Sequence, residues 1–338
     1  MKVAELEKPG SLRVKQKPLR ALEADEVLVK VESCGLCGTD IHIVEGSSRS
    51  SPPVVLGHEY AGFVTDPGKS PAGFPEGAHV AVDPNIPCGR CPYCRRGLVH
   101  FCTGLRALGV DIDGGMAEYS IVPASQLYTI PRGMTAEESM LIEPVSCAVH
   151  GMDRAGIRAG DTVVILGGGT IGLVMLQLVR HGGAAVVVVS EPLAHKRNIA
   201  AGLGATIVID PTGDALRQAV MDTTGIGADV VIDCAGTPAT AGTAIDLARR
   251  GGTVVFFGVS PIGKTIPLEP NAVYFRELTI AGSYINPFTF PRAIALLRGG
   301  TVRVAPLQVK AYPLEGVHDA LASLRDGRAL KNMIVPGS

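Results

Sequence analysis

The sequence predicts an α/β chain in two parts, a β-rich unit and a parallel, doubly wound sheet of six strands. Three observations predict it. Residues 1 to about 145 carry short apolar or alternating runs separated by Gly and Pro, with few helical periods. From Asp161 onward, apolar strand runs alternate with helical segments. The first of those runs ends in a glycine fingerprint.

In the first part the strand candidates are residues 27–31, 54–56, 79–82 and 116–122. In the second they are "DTVVIL", "AAVVVVS", "ATIVI", "ADVVIDC", "GTVVFFG" and "ELTIAGSYI", most of them joined by helical stretches such as "PLAHKRNIAAGLG". Strands buried on both faces and crossed over by helices are what a parallel sheet requires. After Pro287 come a helix ("FPRAIALLRGG"), a strand ("QVKAYPL") and a helix ("GVHDALASLRDG"). The domain reading is therefore residues 1–145 with 287–338 as one unit and 146–286 as the other. A chain of 338 residues has room for both.

Composition excludes several function classes. The net charge of -1 leaves no basic excess for nucleic acid, and no acidic block suggests a tail. "MKVAELEKPG" lacks a signal-peptide apolar run, and no apolar run approaches the ~20 residues of a membrane span. The expectation is a cytoplasmic protein with no membrane or nucleic-acid partner. In a reducing compartment, clustered cysteines read as metal ligands or catalytic groups, not disulfides.

Gly167, Gly169 and Gly172 form G-x-G-x-x-G directly after the strand 163–166. The first glycine permits a tight turn, the second lets the backbone approach a pyrophosphate, and the third packs helix on strand. Thr170 and Ile171 open the helix, whose free N–H groups and dipole favour an anion. Glu191 follows "VVVVS" at nineteen residues past Gly172, where a carboxylate accepts from a ribose 2′-OH and repels a 2′-phosphate. NAD is thus expected over NADP, although Lys196 and Arg197 stand near enough in sequence to hold a phosphate.

Two sets of metal-type ligands appear. Cys88, Cys91, Cys94 and Cys102 follow C-x2-C-x2-C-x7-C within residues 84–104. Four thiolates close a tetrahedral zinc site with no open position, which makes that site structural. The last spacing does not suit an iron–sulfur cluster. The second set is scattered over "SCGLCGTDIH", "GHE" and "LIEPVSC": Cys37, His58, Glu59 and Glu143. Cys34 and Cys37 make a C-x-x-C, but its glycine flanks do not read as a redox motif opening a helix after a strand.

Together these segments resemble the zinc-dependent medium-chain dehydrogenases, closest to sorbitol or polyol, threonine and butanediol dehydrogenase-like members. The resemblance rests on "CGLCGTDIH", "GHEYAGFV", the four-cysteine loop, "EPVSCAVHG" and "GGGTIG", in the family's order. It implies a GroES-like catalytic domain, a Rossmann domain for NAD, a catalytic zinc between them and a structural zinc, and a homo-oligomer, dimer or tetramer. Cys37 and His58 match the first two catalytic ligands, with Glu143 or Glu59 as the third. One thiolate, one imidazole and one carboxylate neutralise Zn2+, so one carboxylate is expected at a time, Glu143 ahead of Glu59.

The resemblance also implies a proton relay from Thr39 to His42, an imidazole being the side chain that ordinarily titrates near neutral pH. It places Phe257, Gly258, Val259, Ser283 and Tyr284 near the nicotinamide and Lys196 beside the adenosine. The expected reaction is hydride transfer between a secondary alcohol or polyol and NAD. Threonine or butanediol oxidation stands as an alternative. A zinc-free quinone reductase-like enzyme or a non-catalytic NAD-binding protein would be expected to lack one or both ligand sets. Sorbitol-like members carry an aromatic residue and an arginine where this chain has Ile43 and Ile285. Apolar side chains offer a polyol no hydrogen bonds, which leaves Asn286 and Arg106 as candidate grips.

Overall fold

The ten-residue strand Glu26–Gly35 buries Val27, Val29 and Val31 while Lys30 between them faces water, the period-two pattern of a half-covered strand. In the computed structural model, which describes residues 1–69 and 73–337, this strand is the hub of the first unit. It pairs antiparallel with Glu59–Asp66, Tyr119–Pro123 and Asn332–Val335. Along the main path the order is Leu127–Thr129, His79–Val82, Glu59–Asp66, Glu26–Gly35, Asn332–Val335, Lys310–Pro313, with Tyr119–Pro123 as the seventh strand paired to Glu26–Gly35 off that path. Two register pairs, Gly35 with Glu59 and Gly35 with Met333, bring the far end of the chain beside the "GHE" segment. A smaller sheet (Ser11–Gln16, Lys2–Lys8, Val54–Val55) adds Val3, Leu6 and Val55 to the same core. Each such fully buried aliphatic side chain contributes about 1.5–3 kcal/mol. The strand expected over 116–122 is realised as Tyr119–Pro123; Ala117 makes only an isolated bridge to Val3.

The second unit contains the six parallel strands. Their order is Ile207–Ile209, Val186–Ser190, Thr162–Leu166, Ala228–Asp233, Ala248–Phe256, Thr279–Gly282. Helices Thr170–His181, Ala194–Gly202, Ala215–Thr224, Pro238–Leu247 and Pro270–Arg276 connect successive strands. The chain leaves Thr162–Leu166 to one side, then returns to its other side at Ala228–Asp233. That reversal makes the carboxyl end of Thr162–Leu166 a topological switch point, where open α/β sheets bind ligands.

The C-terminal tail divides. Residues 1–144, 290–298 and 308–338 form the first unit, and 145–289 with 299–307 the second. The sequence assigned all of 287–338 to the first. Residues 299–307 go elsewhere because the Arg303 N–H donates to Gln177 Oε1 (2.8 Å) and its guanidinium reaches Gly202 O (3.2 Å). Among the described residues no helix is long and apolar enough to cross a membrane.

Candidate metal and nucleotide sites

Cys37, His58 and Glu59 offer donor atoms that all lie within 4.8 Å of one another. Sequence separation is overcome by the sheet: Glu26–Gly35 delivers Cys37 just past its end, and the antiparallel Glu59–Asp66 starts level with Gly35. Cys37 is also the N-cap of the helix Gly38–Glu45. "CGLCG" thus does end a strand and open a helix, contrary to the sequence reading. A redox pair still does not follow, because Cys34 is fully buried and burial holds its thiol well above the ordinary range.

The carboxylate of this group is Glu59, the one the sequence placed second to Glu143. Glu143 sits buried in the first turn of the helix Ile142–Ala155. Two residues that sequence reasoning missed surround the group. Buried Asp40 accepts the Cys37 N–H through Oδ2 (2.9 Å), and its Oδ1 stands 3.5 Å from His58 Nδ1. Burial works against an imidazolium at His58, but Asp40 outweighs it and the pKa stands well above the usual histidine value. A carboxylate facing Nδ1 is the outer support that metal-binding histidines ordinarily have. Lys331, from the C-terminal tail, is ion-paired with Glu59 Oε2 in the interior. A thiol, an imidazole and a carboxylate, so clustered and so supported, fit a zinc ion.

The four cysteines of the loop also lie mutually within 4.8 Å, and none of the four is in a disulfide. A two-stranded ribbon, Asn85–Ile86 with Arg106–Ala107, closes the base of the loop. Backbone N–H groups point at sulfur: Cys88 N and Gly104 N lie 3.1 and 3.4 Å from Cys102 Sγ. The N–H groups of Cys94 and Thr103 pull the Cys91 pKa down to about 6. Desolvation, then the adjoining Cys91 sulfur, pushes Cys94 up to about 12. Four sulfurs so close cannot all ionise without a cation among them, and an all-sulfur tetrahedral set suits zinc.

In the second unit the fingerprint forms the expected cradle. Gly167 turns with φ +100° and Gly169 caps the helix Thr170–His181. A Cβ on Gly172 would overlap Gly167 O, so only glycine fits there. A Cβ on Gly169 would meet nothing within 4 Å, which leaves open space before the helix N-terminus. Thr170 and Ile171 form the first turn. Glu191 is buried at the end of Val186–Ser190, its oxygens accepting from Gly168 N (2.8 Å) and Leu193 N (2.9 Å). Arg197 is committed elsewhere: one guanidinium nitrogen donates to Glu191 O, Pro192 O and Asp210 Oδ2. Lys196 is half-buried one residue before it. The cradle fits a dinucleotide pyrophosphate.

Residues 23–132 match the family description "Alcohol dehydrogenase GroES-like domain", and residues 170–299 match "Zinc-binding dehydrogenase". The chain belongs to the zinc-binding medium-chain dehydrogenase family. It is 33% identical over 334 residues to D-arabinitol dehydrogenase 1 of Uromyces fabae, covering 98% of this chain and 95% of that one. It is 35% identical over 314 residues to L-threonine 3-dehydrogenase of Pyrococcus horikoshii, covering 90% of each. A zinc-binding dehydrogenase structure from Sinorhizobium meliloti, bound to NADP, superposes with a TM-score of 0.95 at 41% identity, covering 99% of both chains. The dehydrogenase is an oxidoreductase of alcohols or polyols.

Around the two sites, the dehydrogenase arranges the other expected residues as follows. Thr39 Oγ1 is 3.6 Å from Cys37 Sγ. His42 lies one helical turn further along Gly38–Glu45, exposed, with Nδ1 3.4 Å from Ser47 Oγ. Positions three apart share a helix face, so Thr39 and His42 line one side. Phe257 and Gly258 follow the strand Ala248–Phe256, and their N–H groups donate to Asp233 O (3.0 and 2.7 Å). Val259 beyond them is almost wholly exposed. Ser283 N donates to Phe256 O (3.1 Å), and its buried Oγ has no partner among the described residues. Tyr284 is exposed. Asn286 is not a free grip for a substrate: it is buried, donating to Ser146 Oγ (2.9 Å). Ile43 is buried in the first core and Ile285 is half-buried.

Proposed function

We propose that this dehydrogenase oxidises a secondary alcohol or polyol to the ketone, reversibly, with NAD and two zinc ions per chain. Cys37, His58 and Glu59 would hold the catalytic ion, and Cys88, Cys91, Cys94 and Cys102 the structural one. The observation that carries this is the mutual approach of one thiol, one imidazole and one carboxylate in a chain that also has the dinucleotide cradle. Bound zinc supplies Lewis acidity at the substrate oxygen. Asp40 orients His58, and the Thr39 hydroxyl next to Cys37 is set to take the substrate proton toward His42 and solvent. Thr170, Ile171 and the glycines would hold the pyrophosphate, Glu191 the adenosine ribose, and Phe257, Ser283 and Tyr284 the nicotinamide end, with the unpartnered Ser283 hydroxyl as one polar contact.

Glu191 favours NAD, because its carboxylate is fixed by two N–H groups and cannot turn away from a 2′-phosphate. Arg197 is anchored through one guanidinium nitrogen to two carbonyls and Asp210, which argues against its turning to a 2′-phosphate. One observation favours NADP instead, the nucleotide bound in the Sinorhizobium meliloti structure. The test is a screen of NAD and NADP reduction with sorbitol, xylitol, arabinitol, galactitol, butane-2,3-diol, threonine and simple 2-alkanols, with and without chelator. Chelator-sensitive NAD reduction by a polyol or diol is expected. Turnover only with simple 2-alkanols defeats the polyol assignment, and a preference for NADP defeats the role given to Glu191.

A further inference from the structure

We infer that Lys331 is a positioning residue for the catalytic metal, an internal ammonium that competes with the ion for Glu59 and so weakens the ion's hold. The inference rests on reading Cys37, His58 and Glu59 as the zinc triad.

Lys331 and Glu59 are 3% and 2% exposed, so neither charge is solvated. Lys331 Nζ donates to Leu36 O (2.9 Å) and pairs with Glu59 Oε2. The pair is built into the fold. Strands Asn332–Val335 and Glu59–Asp66 flank Gly35 on either side, and a Cβ on Gly35 would collide with Glu59 Oε2 and press on Lys331 Cε at 3.1 Å. A side chain at position 35 would drive the pair apart.

One carboxylate thus faces two cations. With no ion in the triad, Lys331 compensates a carboxylate that would be costly to bury alone. With an ion present, the ammonium keeps a claim on Oε2 and repels the second positive charge through a poorly screened interior. The charge count agrees. Cys37 as thiolate, Glu59 and Asp40 bring three negative charges and Lys331 one positive, a net of -2 that one divalent ion cancels. Removing Lys331 leaves -3 and a carboxylate with no competing partner. Metal affinity should then rise, the opposite of what loss of a merely structural residue does.

The test uses the full chain with Lys331→Met, Lys331→Arg, Glu59→Gln and the Glu59→Gln/Lys331→Met double variant. Zinc affinity is read by chelator competition, and the mixed-donor site is read separately by the visible spectrum of the Co2+-loaded protein. Lys331→Met is expected to bind zinc about 10- to 100-fold more tightly at the mixed site, the magnitude by which loss of an outer-shell partner ordinarily weakens metal binding but with the sign reversed. It should shift the Co2+ bands and leave the four-cysteine site unchanged. Lys331→Arg should stay near the parent, and the double variant should match Glu59→Gln. Should Lys331→Met not fold, Lys331→Gln, which keeps a donor for Leu36 O, replaces it. Unchanged or weaker zinc binding with an unchanged Co2+ spectrum overturns the inference while leaving the triad standing. A parent chain that takes up only the four-cysteine ion overturns both.

Discussion

The two units build their sites from different materials. In the first, side chains from segments far apart in sequence converge: Cys37 after one strand, Glu59 at the start of another, Lys331 before a third. In the second, one contiguous turn works through its backbone, and what matters is the absence of side chains at Gly167 and Gly172. The difference teaches where each site is fragile. A side-chain site fails when one donor atom changes, and a backbone site fails when one carbon is added.

The sharpest way to break this comparison is Cys37→Ser. Turnover should fall by more than the ~100-fold of an outer-shell change, while NADH binding, followed by fluorescence, stays at the parent value. Loss of both together would mean the two sites are not separable. Next is Gly172→Val, whose added carbons have no room beside Gly167 O. NADH affinity should drop roughly 10- to 100-fold, the equivalent of 1–3 kcal/mol of overpacking, with zinc content by elemental analysis unchanged. Glu191→Ala tests the one side chain on which the backbone site relies. The ratio of kcat/KM for NAD over NADP should fall about tenfold or more, in line with lost hydrogen bonds to a charged group. The smallest effect belongs to His42→Asn. Turnover should fall about tenfold, less than for a group that itself exchanges a proton with substrate, and added imidazole should restore part of it.

The same contrast explains what was legible in the sequence. The six parallel strands, the cradle and the four-cysteine loop are local: strand period, glycine spacing and C-x2-C runs are read within a few neighbouring residues. Their placement followed the text, with Thr170 opening its helix and His79–Val82 forming its strand as expected. The third member of the proposed triad was not legible. Glu59 and Glu143 have the same chemistry, and the register of Glu26–Gly35 against Glu59–Asp66 is what sets Glu59 beside Cys37. Asp40 carried a faint signal, an acidic residue at the third position of a helix opened by Cys37, which is the spacing of a capping box. Lys331 carried none, because its partner lies 272 residues away. The division of the tail, with Gly299–Leu307 on the second unit, depends on Gln177 meeting Arg303, again a contact without a sequence period.

The helix Gly38–Glu45 gathers the Cys37 thiol at its cap, a hydroxyl and an imidazole on one side, and Asp40, whose carboxylate faces His58. It is only eight residues long, too short to hold its shape unaided. If this site holds zinc as proposed, a single fraying event there would strip a sulfur from the ion, scatter the proton path and unseat a second ligand in one stroke. Ageing of the enzyme should therefore look all-or-none, with zinc release and silence arriving on the same clock.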